Sequence, residues 1–207
     1  MNGAARTERG NRTRAKLIET AEQVFAEHGY HDASIVKITE AAGVAQGTFY
    51  LYFQGKQQIF EELVEDLNRR VRHAMSEAAA RGATRIESER LGFRAFFQFT
   101  AEHPALYRII RQAEFVSPAA LRLHYARIVE GYIDGLEKAK TNGEIIDLDS
   151  TVAAWALMGI GELIGMRWVL WDDDNATLPE AVFDEVMALI QRALGARDVP
   201  QQSDGTT

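Results

Sequence analysis

No cysteine occurs among the 207 residues. A disulfide framework, a thiolate zinc site and thiol catalysis are therefore excluded, and the composition fits a reducing compartment. Other catalytic and metal-binding patterns are equally scarce. The five histidines (His28, His31, His73, His103, His124) are scattered, and none has the i+4 partner that a helical metal site needs. No serine sits in a nucleophile elbow. Asp172, Asp173 and Asp174 could draw a cation, but an acidic run in a turn reads more simply as a solvated turn. There is no alternating strand pattern, no internal repeat and no charged-then-apolar opening segment. The most apolar stretch, 152–171, carries Glu162, Arg167 and three glycines, and reads as a buried core helix rather than a membrane span. These absences point to a cytoplasmic protein that needs no metal or cofactor and is not an enzyme.

What is present is helix. At 46% hydrophobic and 26% charged the chain is ordinary for a folded protein, and 207 residues suffice for a small module plus a larger one. Leu17, Ala21, Val24 and Phe25 fall on one helical face, with Thr13 as a candidate N-cap and Gly29 as the stop. Ser34 can cap a second, short helix that Gly43 ends. A third covers 46–52, and a fourth starts at Lys56 and fails near Gly82. Thr84 and Glu87 have capping-box spacing. His103-Pro104 and Ser117-Pro118 separate further helices, Asn142-Gly143 closes one, Asp149 can cap the apolar segment, and Thr177 with Glu180 can cap the last. The expected class is all-α, with three compact helices followed by six more.

Charge is unevenly placed. The net charge is −7, yet residues 1–16 hold five positive charges against Glu8. A basic arm over 1–13 would favour a polyanion through counterion release.

Residues 34–60, SIVKITEAAGVAQGTFYLYFQGKQQIF, supply two short helices around a tight turn at Gly43. The second helix of such a pair enters the major groove by its N-terminal end. Gln46 can pair with adenine, and Thr48 can meet a phosphate or a thymine methyl. Gly47 removes a side chain where backbone could approach DNA. Tyr50 and Tyr52 offer hydroxyls to phosphates, and Lys37 and Lys56 offer charge. The stretches AAGVAQGTFYLYF and KQQIF, preceded by HGYHDAS, resemble the DNA-binding domain of the TetR/AcrR family of bacterial regulators. The resemblance covers 14–60 and implies a homodimer on a pseudo-palindromic operator, released by a small-molecule effector. It also implies a three-helix head on a six-helix ligand-binding and dimerisation body, here 61–196, with 197–207 left as a disordered tail. Such a protein is nucleoid-associated when bound to DNA. Ala45 and Gln46 depart from the commoner Ser/Thr and basic residues, so Lys37, Lys56 and the arm must supply much of the phosphate attraction.

The body is rich in amphipathic side chains. Phe93, Phe96, Phe97, Arg111, Tyr125, Tyr132, Trp155, Met158, Glu162 and Met166 are candidates for an apolar pocket with a few polar groups. The effector such walls suit is hydrophobic, aromatic or an acyl thioester. Gly161 and Gly165 are spaced to let two helices approach. Val182, Val186, Leu189 and Ile190 form one stripe of the last helix and are the expected dimer interface. The competing reading is a small-molecule carrier or enzyme with a vestigial head.

Overall fold

The computed structural model describes residues 2–171 and 177–196. It is helical throughout: α1 (Asn2–Asp32), α2 (Ile35–Ala42), α3 (Gln46–Phe49), α4 (Lys56–Ala79), α5 (Arg85–Glu102), α6 (Ala105–Val116), α7 (Pro118–Thr141), α8 (Ser150–Gly165), a π-helical turn (Met166–Leu170), and α9 (Glu180–Leu194). The acidic turn at Asp172–Asp174 and the tail 197–207 lie outside the described residues.

Local side-chain chemistry sets most boundaries. The Ser34 hydroxyl accepts from the Lys37 N–H. Thr84 and Glu87 form a reciprocal capping box. Ser117 accepts from the Ala120 N–H with Pro118 at the first helical position, and Asp149 accepts from the N–H groups of Thr151 and Val152. Two expected caps are corrected. Thr13 does not begin α1. The helix already runs from Asn2, and the Thr13 hydroxyl donates back to the Arg9 carbonyl at 3.0 Å. Residues 2–13, expected as a flexible arm, are therefore helical. Thr177 does not cap α9, which starts after Pro179. Glu180 instead takes a bidentate pair from Arg94 at 2.6 and 2.8 Å, while the Arg94 guanidinium lies 4.1 Å from the Phe183 ring centre. Gly29 breaks α1 as expected, at φ 72°.

Two apolar cores form. The first unites the head with the near part of the body: Leu17 and Phe25 from α1, Ile38 from α2, Phe49 and Phe53, and Phe60, Leu63 and Leu67 from α4. Ile109 and Ala113 from α6 complete it. The second joins α5, α7, α8 and α9 around Phe93, Leu136, Leu157, Phe183 and Ile190. Val186 (7% exposed) and Ile190 (0%) belong to this core, and Val182 packs on it. The expectation that these three face a partner is thereby corrected, because the stripe is buried within the protomer. Leu189 alone of the four stays exposed.

Ser150–Leu170 is, by length and composition only, long and apolar enough to cross a membrane. It is not wholly buried as expected. Ala154, Leu157, Gly161 and Gly165 pack inward, whereas Val152 and Leu163 are exposed. The two inward glycines make room for rings rather than for a second helix backbone. A Cβ at Gly161 would lie 3.3 Å from Phe93, and one at Gly165 would overlap the Tyr107 hydroxyl. Gly165→Ala should therefore cost about 1–3 kcal/mol by overpacking, read as a lower urea midpoint. Unchanged stability would mean that Tyr107 has another place to go.

Candidate DNA-binding head and effector chamber

The head presents α3 to solvent. Gly43 adopts the left-handed conformation (φ 66°, ψ 34°), and the Val44 N–H reaches back to the Thr39 carbonyl at 3.0 Å. This turn sets α3 off from α2. Phe49 and Phe53 are fully buried beneath it, so the opposite side of α3 is free: Gln46, Gly47 and Tyr50 are exposed and Thr48 half-exposed. No atom lies within 4 Å of a Cβ built on Gly47. Its lack of a side chain thus answers to no neighbour in this chain and leaves the surface open to an outside body. The helix ends at Phe49, sooner than the expected 46–52, and continues as turns closed by the carbonyls of Thr48 and Phe49. Tyr52 is half-buried, with its hydroxyl near Gly10 of α1. Lys37 is exposed and donates to the Asp32 carbonyl at 3.3 Å.

Lys56 is placed otherwise than expected. Its ammonium donates to three carbonyls, of Tyr30 (2.7 Å), His31 (3.2 Å) and Ala33 (2.9 Å), and sits 4.4 Å from the Tyr30 ring centre. An ammonium has three protons, and all three are used. Lys56 is a clamp that ties the start of α4 to the segment after Gly29, not a free phosphate ligand. Arg14 is likewise engaged, with Glu62 of α4 and against the Phe53 ring.

Within the body a cavity lies between α4, α5, α6, α7 and α8. Of the expected pocket residues it brings together Phe93, Phe96, Tyr125, Tyr132, Met158 and Glu162. Four expected residues are elsewhere. Phe97 and Met166 are buried off the cavity, Arg111 points at the Met166 sulfur (3.9 Å), and Trp155 is half-exposed beside Tyr125. The sequence reading missed Met75, Leu106, Tyr107, Ile110, His124, Ile128 and Leu157. The strongly amphipathic pattern of α6 was the signal available for three of them.

The chamber is nearly closed, with about 50 Å³ open to water-sized occupants. Its polar groups are few. The Tyr125 hydroxyl donates to the Glu162 carboxylate at 2.8 Å. Burial, and then Glu162, push the Tyr125 hydroxyl above its ordinary range. His124 accepts at Nδ1 from the Asn68 amide (3.1 Å), and its carbonyl accepts from the same group (2.9 Å). Burial holds its imidazole down to about 4, so it is neutral at pH 7.

Two predictions arise from these groups. Lys56→Ala should lower head stability by about 1–3 kcal/mol, since buried carbonyls lose a charged donor, and leave the salt slope of DNA binding unchanged. A slope reduced by about one would make Lys56 a phosphate contact after all. For His124, the unfolded imidazole takes up a proton below its ordinary value of 6.5 while the folded one does not until about 4. Folding stability should then fall as pH drops through that window, by about 3 kcal/mol in full. The difference in urea stability between wild type and His124→Leu should narrow accordingly. A difference independent of pH would contradict a neutral buried imidazole.

With this geometry in view, comparison with known proteins is direct. Residues 17–63 match the family model described as bacterial regulatory proteins, tetR family. The fatty acid metabolism regulator protein of Bacillus subtilis (strain 168) is 32% identical over 177 residues, covering 82% of this chain and 91% of the relative. The HTH-type transcriptional regulator YdgC of the same organism is 34% identical over 169 residues, covering 78% and 84%. Among solved structures, the regulator FadR of B. subtilis in complex with stearoyl-CoA superposes with a TM-score of 0.75 at 27% identity, covering 85% of this chain and 96% of that one. FadR of Bacillus halodurans gives 0.78 at 25%, covering 89% and 97%. These matches set aside the reading of an enzyme with a vestigial head. The chain belongs to the tetR family of bacterial regulatory proteins and is a ligand-responsive, DNA-binding transcriptional regulator.

Proposed function

We propose that this regulator is a homodimeric repressor of the cytoplasm, released from its operator by a long-chain acyl thioester. The observation that carries the reading is the double use of α6. Ile109 and Ala113 are buried against the head, while Leu106, Tyr107 and Ile110 line the chamber. Whatever widens the chamber must press on the helix that seats α1. The chamber's near-closure supports a bistable design, because bound ligands of drug size occupy about 300–1,000 Å³. The likeness to a fatty acid metabolism regulator and to a stearoyl-CoA complex favours an acyl thioester among apolar effectors.

In this reading Gln46, Gly47 and Thr48 face base edges, and Lys37, Tyr50 and Tyr52 face the backbone. The dimer face is formed by Val152, Gly159 and Leu163 of α8 with Leu189 of α9. Val152, Leu163 and Leu189 are 67%, 63% and 49% exposed, and no atom of the chain approaches a Cβ at Gly159. Two-fold pairing of that stripe would bury it and space the two recognition helices about one DNA turn, ~34 Å, apart.

Two experiments test the reading. With an operator selected from genomic fragments, long-chain acyl-CoA should weaken binding by about 5–150-fold in an anisotropy titration. Acyl-CoA that binds without changing DNA affinity, or fails to bind, contradicts it. Leu163→Glu with Leu189→Glu should sediment as a folded monomer and lose operator binding. A dimer of full affinity contradicts the interface.

A further inference from the structure

A second depression, of about 850 Å³, lies between α4, α5 and α7 beside the chamber. Met75, Ile128 and Tyr132 line both, so the two spaces share a wall of three side chains. Their electrostatics are opposite. The chamber lining has one acidic group, Glu162, and no lysine or arginine. The cleft lining has five lysines and arginines against two carboxyl groups. Arg85 pairs with Glu89, Arg69 with Asp66, and Arg127 with Glu65. Arg72 and Lys138 are exposed and make no ion pair among the described residues. Gly131 sits between them with no atom within 4 Å of a Cβ position, so the cleft floor is open.

This arrangement has a direction. A carboxylate pushed into the chamber would meet the Glu162 carboxyl in a site of low polarity with no cation to offset it. An anionic group held in the cleft would find Arg72 and Lys138 unoccupied. We infer that the effector's apolar chain occupies the chamber while its phosphate-bearing end lies in the α4–α5–α7 cleft, between Arg72 and Lys138 and over Gly131. The site takes a phosphorylated thioester carrier and rejects the free acid of the same chain. The inference rests on the acyl-thioester reading, to which it adds the place and charge of the ligand's polar end. It also supplies a reason for the effector to act on α4: the occupied cleft would hold Arg72 of α4 and Lys138 of α7 around one anion.

The experiment is calorimetric titration of the full chain without DNA. Its ligands are stearoyl-CoA, stearoyl-phosphopantetheine, the neutral stearoyl thioester of N-acetylcysteamine, and stearate. Wild type should bind stearoyl-CoA with an affinity that falls as salt rises, and stearate at least about tenfold more weakly. Arg72→Glu with Lys138→Glu should weaken stearoyl-CoA by about tenfold or more, flatten its salt dependence and leave the neutral thioester unchanged. Gly131→Met, which fills the cleft floor without altering charge, should also weaken stearoyl-CoA alone. Loss of affinity on going to phosphopantetheine would place the nucleotide phosphates in the cleft, and retention would place the pantetheine phosphate there. Equal stearoyl-CoA affinity in wild type and both variants overturns the cleft assignment and leaves the acyl-thioester reading standing. Absence of any thioester binding to wild type overturns that reading, and the assignment with it.

Discussion

The architecture depends on one constraint: the head has no complete core of its own. Phe25, Phe49, Phe53 and Phe60 are buried only because Ile109 and Ala113 of α6 close the same cluster from the body side. The Gln112 side chain also accepts the Tyr30 N–H, which follows the break at Gly29. Lys56 then fixes the carbonyls just beyond it. The recognition helix therefore stands on a platform that α4 and α6 jointly hold. A close-packed seam of this kind transmits a shift rather than absorbing it.

The same two helices reach the chamber, through Met75 on α4 and Leu106, Tyr107 and Ile110 on α6. A chamber this tight cannot accept a chain of many methylenes in the state described here. Binding must draw on a state with α4, α6 and α7 further apart. The ligand's differential affinity for the two states then sets how far the equilibrium moves. The buried Asn68–His124 bond spans α4 and α7 at the chamber wall, so opening strains a polar pair as well as apolar contacts.

Most helix ends were legible in the sequence because they are local: Ser34, Thr84 with Glu87, Ser117 and Asp149 each reach a backbone group within three residues. The head was legible for the same reason, since its turn needs a left-handed residue at a fixed place. What the pattern could not show is which surface covers a stripe. Val186 and Ile190 have the periodicity of a buried face, but only the position of α5, α7 and α8 tells that the protomer itself buries them. Lys56 looked free because its partners are carbonyls of residues 30–33, more than twenty positions away, whose direction follows from the Gly29 break. In the chamber, a periodic aromatic such as Phe97 and one such as Phe96 differ only by a helical turn of about 100°, enough to move one behind the wall.

The central claim is that α6 carries free energy between chamber and operator. It is tested most directly by the linkage itself. The factor by which an acyl-CoA weakens operator binding must equal the factor by which operator weakens acyl-CoA binding. That common factor should shrink in Gln112→Ala, where the α1–α6 seam loses its polar tie, while the separate affinities for DNA and for ligand stay near those of wild type. A coupling factor in Gln112→Ala identical to that of wild type would contradict the account.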